Sequence, residues 1–228
     1  MYKRPSCDSE RDLIVKPECN PINNINNQIT VFTKEQERCM PPACCCATGE
    51  LIRNGGFEIP GFTDGVPFAD WTSQAAPESL VVRTNTNVFQ GCYAASIETN
   101  VIQEPVTRSV RLFQPVIVTP GCLYRLTFAE KLITPGTIDT ALPTLIAKVI
   151  YVYQASAFDL LTHTVQKSRA DAKYNLHIAA AKIPVPCNIS GVIVRFEFYL
   201  PGFGGAVWNL DAVSLRAMSK TSVCCCKE

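Results

Sequence analysis

The chain has 228 residues, with 21 Lys and Arg against 20 Asp and Glu, so its formal net charge is +1. That balance excludes a basic footprint for nucleic acid and leaves little self-repulsion between copies. A hydrophobic share of 47% is enough for one sizeable core, whereas twelve cysteines are too many for a routine cytosolic enzyme and point to a disulfide framework or a metal site.

Residues 1–43 read as an N-terminal connector arm. They hold few large apolar residues, an Asn-rich polar run at 20–27, Pro41-Pro42, and the isolated cysteines Cys7, Cys19 and Cys39. One short piece, Gln28-Ile-Thr-Val-Phe-Thr33, alternates as a strand does. A lone strand does not stay folded, but it can dock on the open edge of a sheet. Charged residues follow Met1 where a signal peptide would have its apolar core, and no apolar run approaches the ~20 residues of a membrane span. Cysteine density without an export signal leaves three readings: metal binding in a reducing cell, a mature form whose signal was removed, or synthesis inside a cell and oxidation after that cell breaks open, the route of spore-surface proteins. The expected location is the last of these, extracellular or on a spore surface, reached without a classical signal peptide.

Residues 44–50 form a Cys-rich hinge, and 219–228 a Cys-rich tail. Each carries an unbroken triplet, Cys44-Cys45-Cys46 and Cys224-Cys225-Cys226. Neighbouring Cα atoms are about 3.8 Å apart, and a relaxed disulfide wants roughly 4.4–6.8 Å. Each triplet must therefore look outward, and Cys7, Cys19, Cys39 and the six triplet cysteines are candidates for disulfides between subunits. Two facing triplets also offer a thiolate cluster for zinc or copper(I), although the spacing is wrong for the common zinc knuckle. Cys92, Cys122 and Cys187 fall in or beside strands, where a free cysteine behaves as a small hydrophobe.

Residues 51–218 read as an all-β domain. Short alternating runs separated by Gly, Pro and Asn predict strands at 51–58, 79–84, 92–98, 109–119, 122–132, 144–154, 157–165, 173–183, 190–200 and 206–217. No segment holds a long helical period, and the spacing of turns suits a sandwich or jelly roll. Val192, Val194, Phe196 and Phe198 share one strand face, with Ile193, Arg195, Glu197 and Tyr199 on the other. Pro120-Gly121 marks a turn between two strands.

The run Leu51-Ile-Arg-Asn-Gly-Gly-Phe-Glu58 followed by Trp71 resembles the opening of carbohydrate-binding-module jelly rolls. Gln114, Val118, Pro120, Gly121, Tyr124, Leu126 and Phe128 resemble the middle of that pattern. Leu210-Asp-Ala-Val-Ser-Leu215 is similar to its closing strand. The resemblance implies a jelly-roll β-sandwich in which the first and last strands lie side by side, antiparallel, so that both cysteine triplets gather at one pole. It also implies a structural calcium between Glu58 and Asp211, although Ala212 replaces a second Asp of the closing motif. No other cofactor is expected. The cysteine-bearing arm ahead of the jelly roll looks like the subunits of bacterial endospore appendages, an architectural likeness without residue-by-residue alignment.

Catalytic chemistry finds little support. His163 and His177 lie on predicted strands without a nearby nucleophile motif, and nothing pairs the carboxylates as a glycosidase needs. Trp71 and Trp208 read as core. The expectation is a non-enzymatic structural subunit, its partner itself, forming a disulfide-cross-linked extracellular fibre or spore surface appendage. The alternative is a carbohydrate-binding module of a coat or cell-surface protein, with Tyr151, Tyr153, Arg195 and Tyr199 as ligand-binding residues and glycan or other surface proteins as partners.

Overall fold

The computed structural model describes residues 46–62, 66–100, 107–137, 141–201 and 205–219. They fold into an all-β jelly-roll sandwich. Its strands are β1 (Thr72–Ala75), β2 (Ser79–Thr84), β3 (Ala94–Thr99), β4 (Thr107–Ile117), β5 (Tyr124–Pro135), β6 (Thr144–Tyr153), β7 (Ser156–Gln166), β8 (Asn175–Ala180), β9 (Gly191–Pro201) and β10 (Ala206–Ala217). The first sheet has the order β1-β4-β9-β6-β7 and the second the order β2-β3-β10-β5-β8. All strand pairs are antiparallel. Among the described residues no helix is long and apolar enough to cross a membrane. The expected arm lies outside the described residues, as do Cys7, Cys19, Cys39, Cys44, Cys45, Cys224, Cys225 and Cys226.

The period-two pattern builds the core. Val110 and Leu112 of β4, Val194, Phe196 and Phe198 of β9, and Leu145 and Ala147 of β6 point inward from the first sheet. Ile97, Leu126, Phe128, Trp208 and Leu210 meet them from the second. Phe128 and Phe196 meet edge-on with ring centroids 5.2 Å apart, and Phe198 and Trp208 do so at 6.0 Å. Each fully buried large side chain is worth roughly 1.5–3 kcal/mol. Trp71 and Trp208 are both core, as expected.

Two expectations about strands need correction. Residues 51–58 are not a strand. Asn54 and Phe57 adopt φ of 50° and 57°, which breaks an extended backbone. The segment nevertheless lies beside β10, as the resemblance implied: Leu51 N–H donates to Leu215 O, and Val213 N–H donates to Gly55 O. A Cβ on Gly55 would stand 2.0 Å from Val213 O, so this approach requires glycine. The second correction is β1, a four-residue strand with no β-branched alternation to announce it.

The cysteine expectations change as well. Cys46, expected between subunits, is bonded to Cys122 of the same chain, with Cα atoms 5.8 Å apart. The backbone pairing of Leu51 with Leu215 carries the preceding residues past the end of β10. There Met218 N–H donates to Leu123 O, beside the Pro120-Gly121 turn that bears Cys122. Cys92 and Cys187 are also disulfide-bonded. The three cysteines expected as free small hydrophobes are therefore all oxidised.

Candidate functional site

The motif residues at the start of the domain act as clamps. Asn54 Nδ2 donates to the carbonyls of Ile59 and Ala69, and its Oδ1 accepts from Ile59 N–H. Trp71 Nε1 donates to Asn54 O. Phe57 is buried against Phe68 and Trp71, at centroid distances of 4.8 and 5.4 Å. Gln114 points inward from β4, accepts from Arg53 N–H, and donates to the carbonyls of Arg53 and Asp70. These contacts tie two loops to one end of the sandwich.

Glu58 and Asp211, the pair that the resemblance sets around calcium, both lie beside Gly56. Asp211 Oδ1 and Glu58 Oε1 each lie 3.9 Å from the point where a Cβ on Gly56 would stand. The loop between β2 and β3 folds over the second sheet and supplies donors. Phe89 and Gln90 N–H donate to Asp211 Oδ2 at 2.9 and 3.0 Å, and Cys92 and Tyr93 N–H donate to Glu58 Oε1 at 2.8 and 3.2 Å. Ala212 N–H donates to Asp211 Oδ1. Burial pushes the Asp211 carboxyl up to about 6; these amides pull against that, and the Glu58 charge adds to it. Carboxylate oxygens are the hard donors that calcium takes, so the pair suits such an ion chemically, although Glu58 Oε1 and Asp211 Oδ1 already accept backbone N–H groups. The set is sparse, because Ala212 adds no side-chain oxygen. Among the described residues no group of three His, Cys, Asp or Glu gathers around a point.

The four expected ligand-binding residues are divided between two faces. The β6–β9 register pairs Lys148 with Arg195, Ile146 with Glu197 and Thr144 with Tyr199. Arg195 and Tyr199 therefore lie on the outer face of the first sheet. Tyr151 and Tyr153 follow the parity of the core residues Leu145, Ala147 and Val149 on β6, and Tyr151 stacks on Phe158 at 5.2 Å. An alternating strand reveals its own two faces, but only cross-strand register shows which of them meets which face of its neighbour.

The outer face of the first sheet is open and ordered in rows. One row runs Thr162, Lys148, Arg195, Phe113, Thr72; the next runs Thr164, Ile146, Glu197, Arg111, Gln74; a third runs Gln166, Thr144, Tyr199, Ser109. At its centre the Glu197 side chain is only 6% exposed. Arg195 Nε lies 2.9 Å from Glu197 Oε1, Lys148 Nζ 3.6 Å from Oε2, and Arg111 Nε 3.8 Å from Oε1. Neither Glu197 nor its ring of cations is evident as a cluster from the sequence. The alternation on β9 places Glu197 beside Arg195, while Lys148 and Arg111 join them only through strand pairing.

A second carboxylate cluster fills the gap between the sheets. Glu130 is fully buried; its Oε1 accepts from Lys167 Nζ at 2.6 Å and lies 2.9 Å from His177 Nε2, and its Oε2 accepts from Trp208 Nε1 at 2.6 Å. His177 Nδ1 is 3.0 Å from His163 Nε2, and Phe128 stacks on His177 at 4.9 Å. Burial, and then the neighbouring His177, hold His163 below the usual histidine range. Lys167 also pairs with Asp171, which accepts from Leu132 N–H. Every charged member has a partner, which is the condition for keeping such a network in a core.

No protein-family model matches this chain, and no curated protein matches it. Solved structures do share its fold. The Stig cyclase FisC from Fischerella sp. TAU, solved with (3Z)-3-(1-methyl-2-pyrrolidinylidene)-3H-indole, gives a TM-score of 0.53 at 15% identity, over 78% of this chain and 100% of that one. The carbohydrate-binding module TmCBM61, solved with β-1,4-galactotriose, gives 0.50 at 17% identity, over 74% and 99%. The enzymatically active domain of bacteriophage CBA120 tailspike protein 4 gives 0.51 at 14% identity over 74% of this chain, which spans 21% of that one. These likenesses establish the β-sandwich; function must be argued from the residues.

Proposed function

We propose that this domain is a non-catalytic carbohydrate-binding module of a coat or cell-surface protein, and that glycan lies across the outer face of the first sheet. The observation that carries this reading is the face itself: a five-stranded surface on which Thr72, Gln74, Ser109, Thr162, Thr164 and Gln166 offer neutral hydrogen bonds around Tyr199, Phe113 and the Glu197 cluster. Sugar hydroxyls need such mixed donors and acceptors, and the apolar face of a sugar ring packs on an aromatic or aliphatic surface. The sandwich likeness to TmCBM61 supports the reading. The fibre-subunit reading draws on cysteines outside the described residues, and the bond between Cys46 and Cys122 removes one of its expected cross-links. Calcium between Glu58 and Asp211 is proposed as a structural ion, remote in role from ligand binding.

Affinity electrophoresis of the oxidised full chain against a panel of soluble polysaccharides tests the assignment. At least one polymer should retard the protein. Tyr199→Ala should weaken that retardation about tenfold, near 1.4 kcal/mol, and Tyr151→Ala, on the opposite face, should leave it unchanged. Retardation by no polysaccharide would reject the module reading; sensitivity to Tyr151→Ala alone would reject this face.

A further inference from the structure

The Glu197 cluster is unusual in how little its cations spend on one another. A carboxylate buried among two arginines and a lysine would normally consume their donors in short, aligned hydrogen bonds. Here the Lys148 and Arg111 contacts, at 3.6 and 3.8 Å, are ion pairs too long for hydrogen bonds. Arg195 Nε approaches to 2.9 Å, yet it is buried and forms no hydrogen bond. The Arg111 side chain is 47% exposed, whereas Glu197 beneath it is 6% exposed. The cations thus overlie the acid. Glu197 holds them on adjacent rows, and the Arg111, Arg195 and Lys148 side chains keep 47%, 26% and 20% of their surface exposed. Asp159, at the β7 edge of the same face, is occupied by Thr162 Oγ1. The centre of the face therefore presents more positive than negative charge, on a chain whose overall charge is nearly balanced.

We infer that the ligand of this face is an acidic polysaccharide, one whose sugar units carry carboxylates. The guanidinium fork of Arg matches a carboxylate with two parallel hydrogen bonds, and Lys adds a point charge. Arg111 and Arg195 take the carboxylate, Lys148 supports it, and Glu197 is a positioning residue that keeps the three cations together without meeting the ligand. The neutral Thr and Gln side chains of the flanking strands take the hydroxyls. This inference rests on the carbohydrate-binding reading and narrows it to a ligand class.

The test compares three polymers by affinity electrophoresis and calorimetry on the oxidised full chain: polygalacturonate, the same polymer fully methyl-esterified, and neutral β-1,4-galactan. Polygalacturonate should bind, and esterification, which removes the charge and keeps the chain, should weaken binding at least tenfold. Raising salt should weaken the acid form and leave the neutral polymers unaffected. Arg111→Ala, at a half-exposed position that the fold tolerates, should cost at least tenfold on polygalacturonate, and Arg195→Lys should cost severalfold by removing the fork while keeping the charge. Equal binding of acid, ester and galactan would overturn the acidic-ligand inference and leave the module reading standing. Binding of polygalacturonate that ignores both arginine variants would overturn the assignment to this cluster. Binding of none of the three, while other neutral glycans bind, would also overturn the inference; binding of no polysaccharide at all would overturn both.

Discussion

The two outer faces of the sandwich each hold a buried carboxylate, and they hold it by opposite means. On the second sheet, Asp211 is fully buried under the loop between β2 and β3, and backbone amides of Phe89, Gln90 and Ala212 bind both its oxygens. On the first sheet, Glu197 is held by the side chains of Arg195, Lys148, Arg111 and Tyr199, and among the described residues no backbone group bonds it. Backbone amides are fixed by the fold and cannot be lent to a ligand. Side-chain cations can turn between an internal acid and an external one. The covered face therefore suits a structural role and the open face a binding role, although both centre on one acidic residue.

The largest test of that contrast is Asp211→Ala. It strands three amide donors in a covered site, where each unsatisfied group costs roughly 1–3 kcal/mol. Loss of about 4 kcal/mol in urea unfolding is expected; a loss below about 1 kcal/mol would mean that the loop is hydrated and the face is not closed. Next comes pH. The folded-state carboxyl of Asp211 is raised from 3.8 to about 6, so its stabilising share is complete below pH 3.8 and is lost as pH rises through about 6. With chelator present, wild type should lose up to about 3 kcal/mol relative to Asp211→Asn across that window. Excess calcium should reverse the loss, because it binds the ionised form. Thermal melts at matched ionic strength, with and without calcium, read both arms. A flat difference between the two proteins would remove the electrostatic account of this face.

Glu197→Ala should do less to stability and more to binding. The three cations it releases are partly exposed and can rehydrate, so the cost is about 1–2 kcal/mol by urea unfolding. If Glu197 proved as costly as Asp211, the open face would be structural, and the positioning role argued for it would fall.

Much of the covered side was legible in the sequence. Asn54, Gly55, Phe57, Glu58, Gln114 and Asp211 belong to a recognisable pattern, and each does local work that its residue type announces: an amide that clamps a loop, a glycine against a carbonyl, an aromatic in the core. The open face was not legible. Its cluster draws Arg111 from β4, Lys148 from β6 and Arg195 and Glu197 from β9, and only pairing register assembles them. A shift of one residue on β6 would have turned Tyr151 and Tyr153 to the outer face that bears Tyr199, and Lys148 to the inner one. The strand expected at 51–58 failed for another reason: Asn54 and Phe57 take positive φ, and non-glycine residues do so without a mark in composition. The Glu130 network also left no signal, because its members come from β5, β7, β8, β10 and the connection between β7 and β8.

The smallest effect concerns Ala212, which sits at the register shift between Asp211 and Ser214 with φ of 49°. A Cβ in that conformation costs roughly 1–2 kcal/mol. Ala212→Gly relieves the strain but gives the unfolded chain more freedom, an opposing term of about 0.5–1 kcal/mol. The net gain should be about 0.5 kcal/mol, read as a higher urea midpoint at unchanged slope. Ala212→Asp separates backbone from charge at the same position. Asp tolerates the left-handed conformation better than Ala, but it brings a third carboxylate towards Asp211 and Glu58. Without calcium it should be less stable than Ala212→Gly, and with calcium more stable, because the added oxygen donor completes a richer ligand set. If the order of the two variants ignored calcium, the carboxylate pair would be a loop anchor alone.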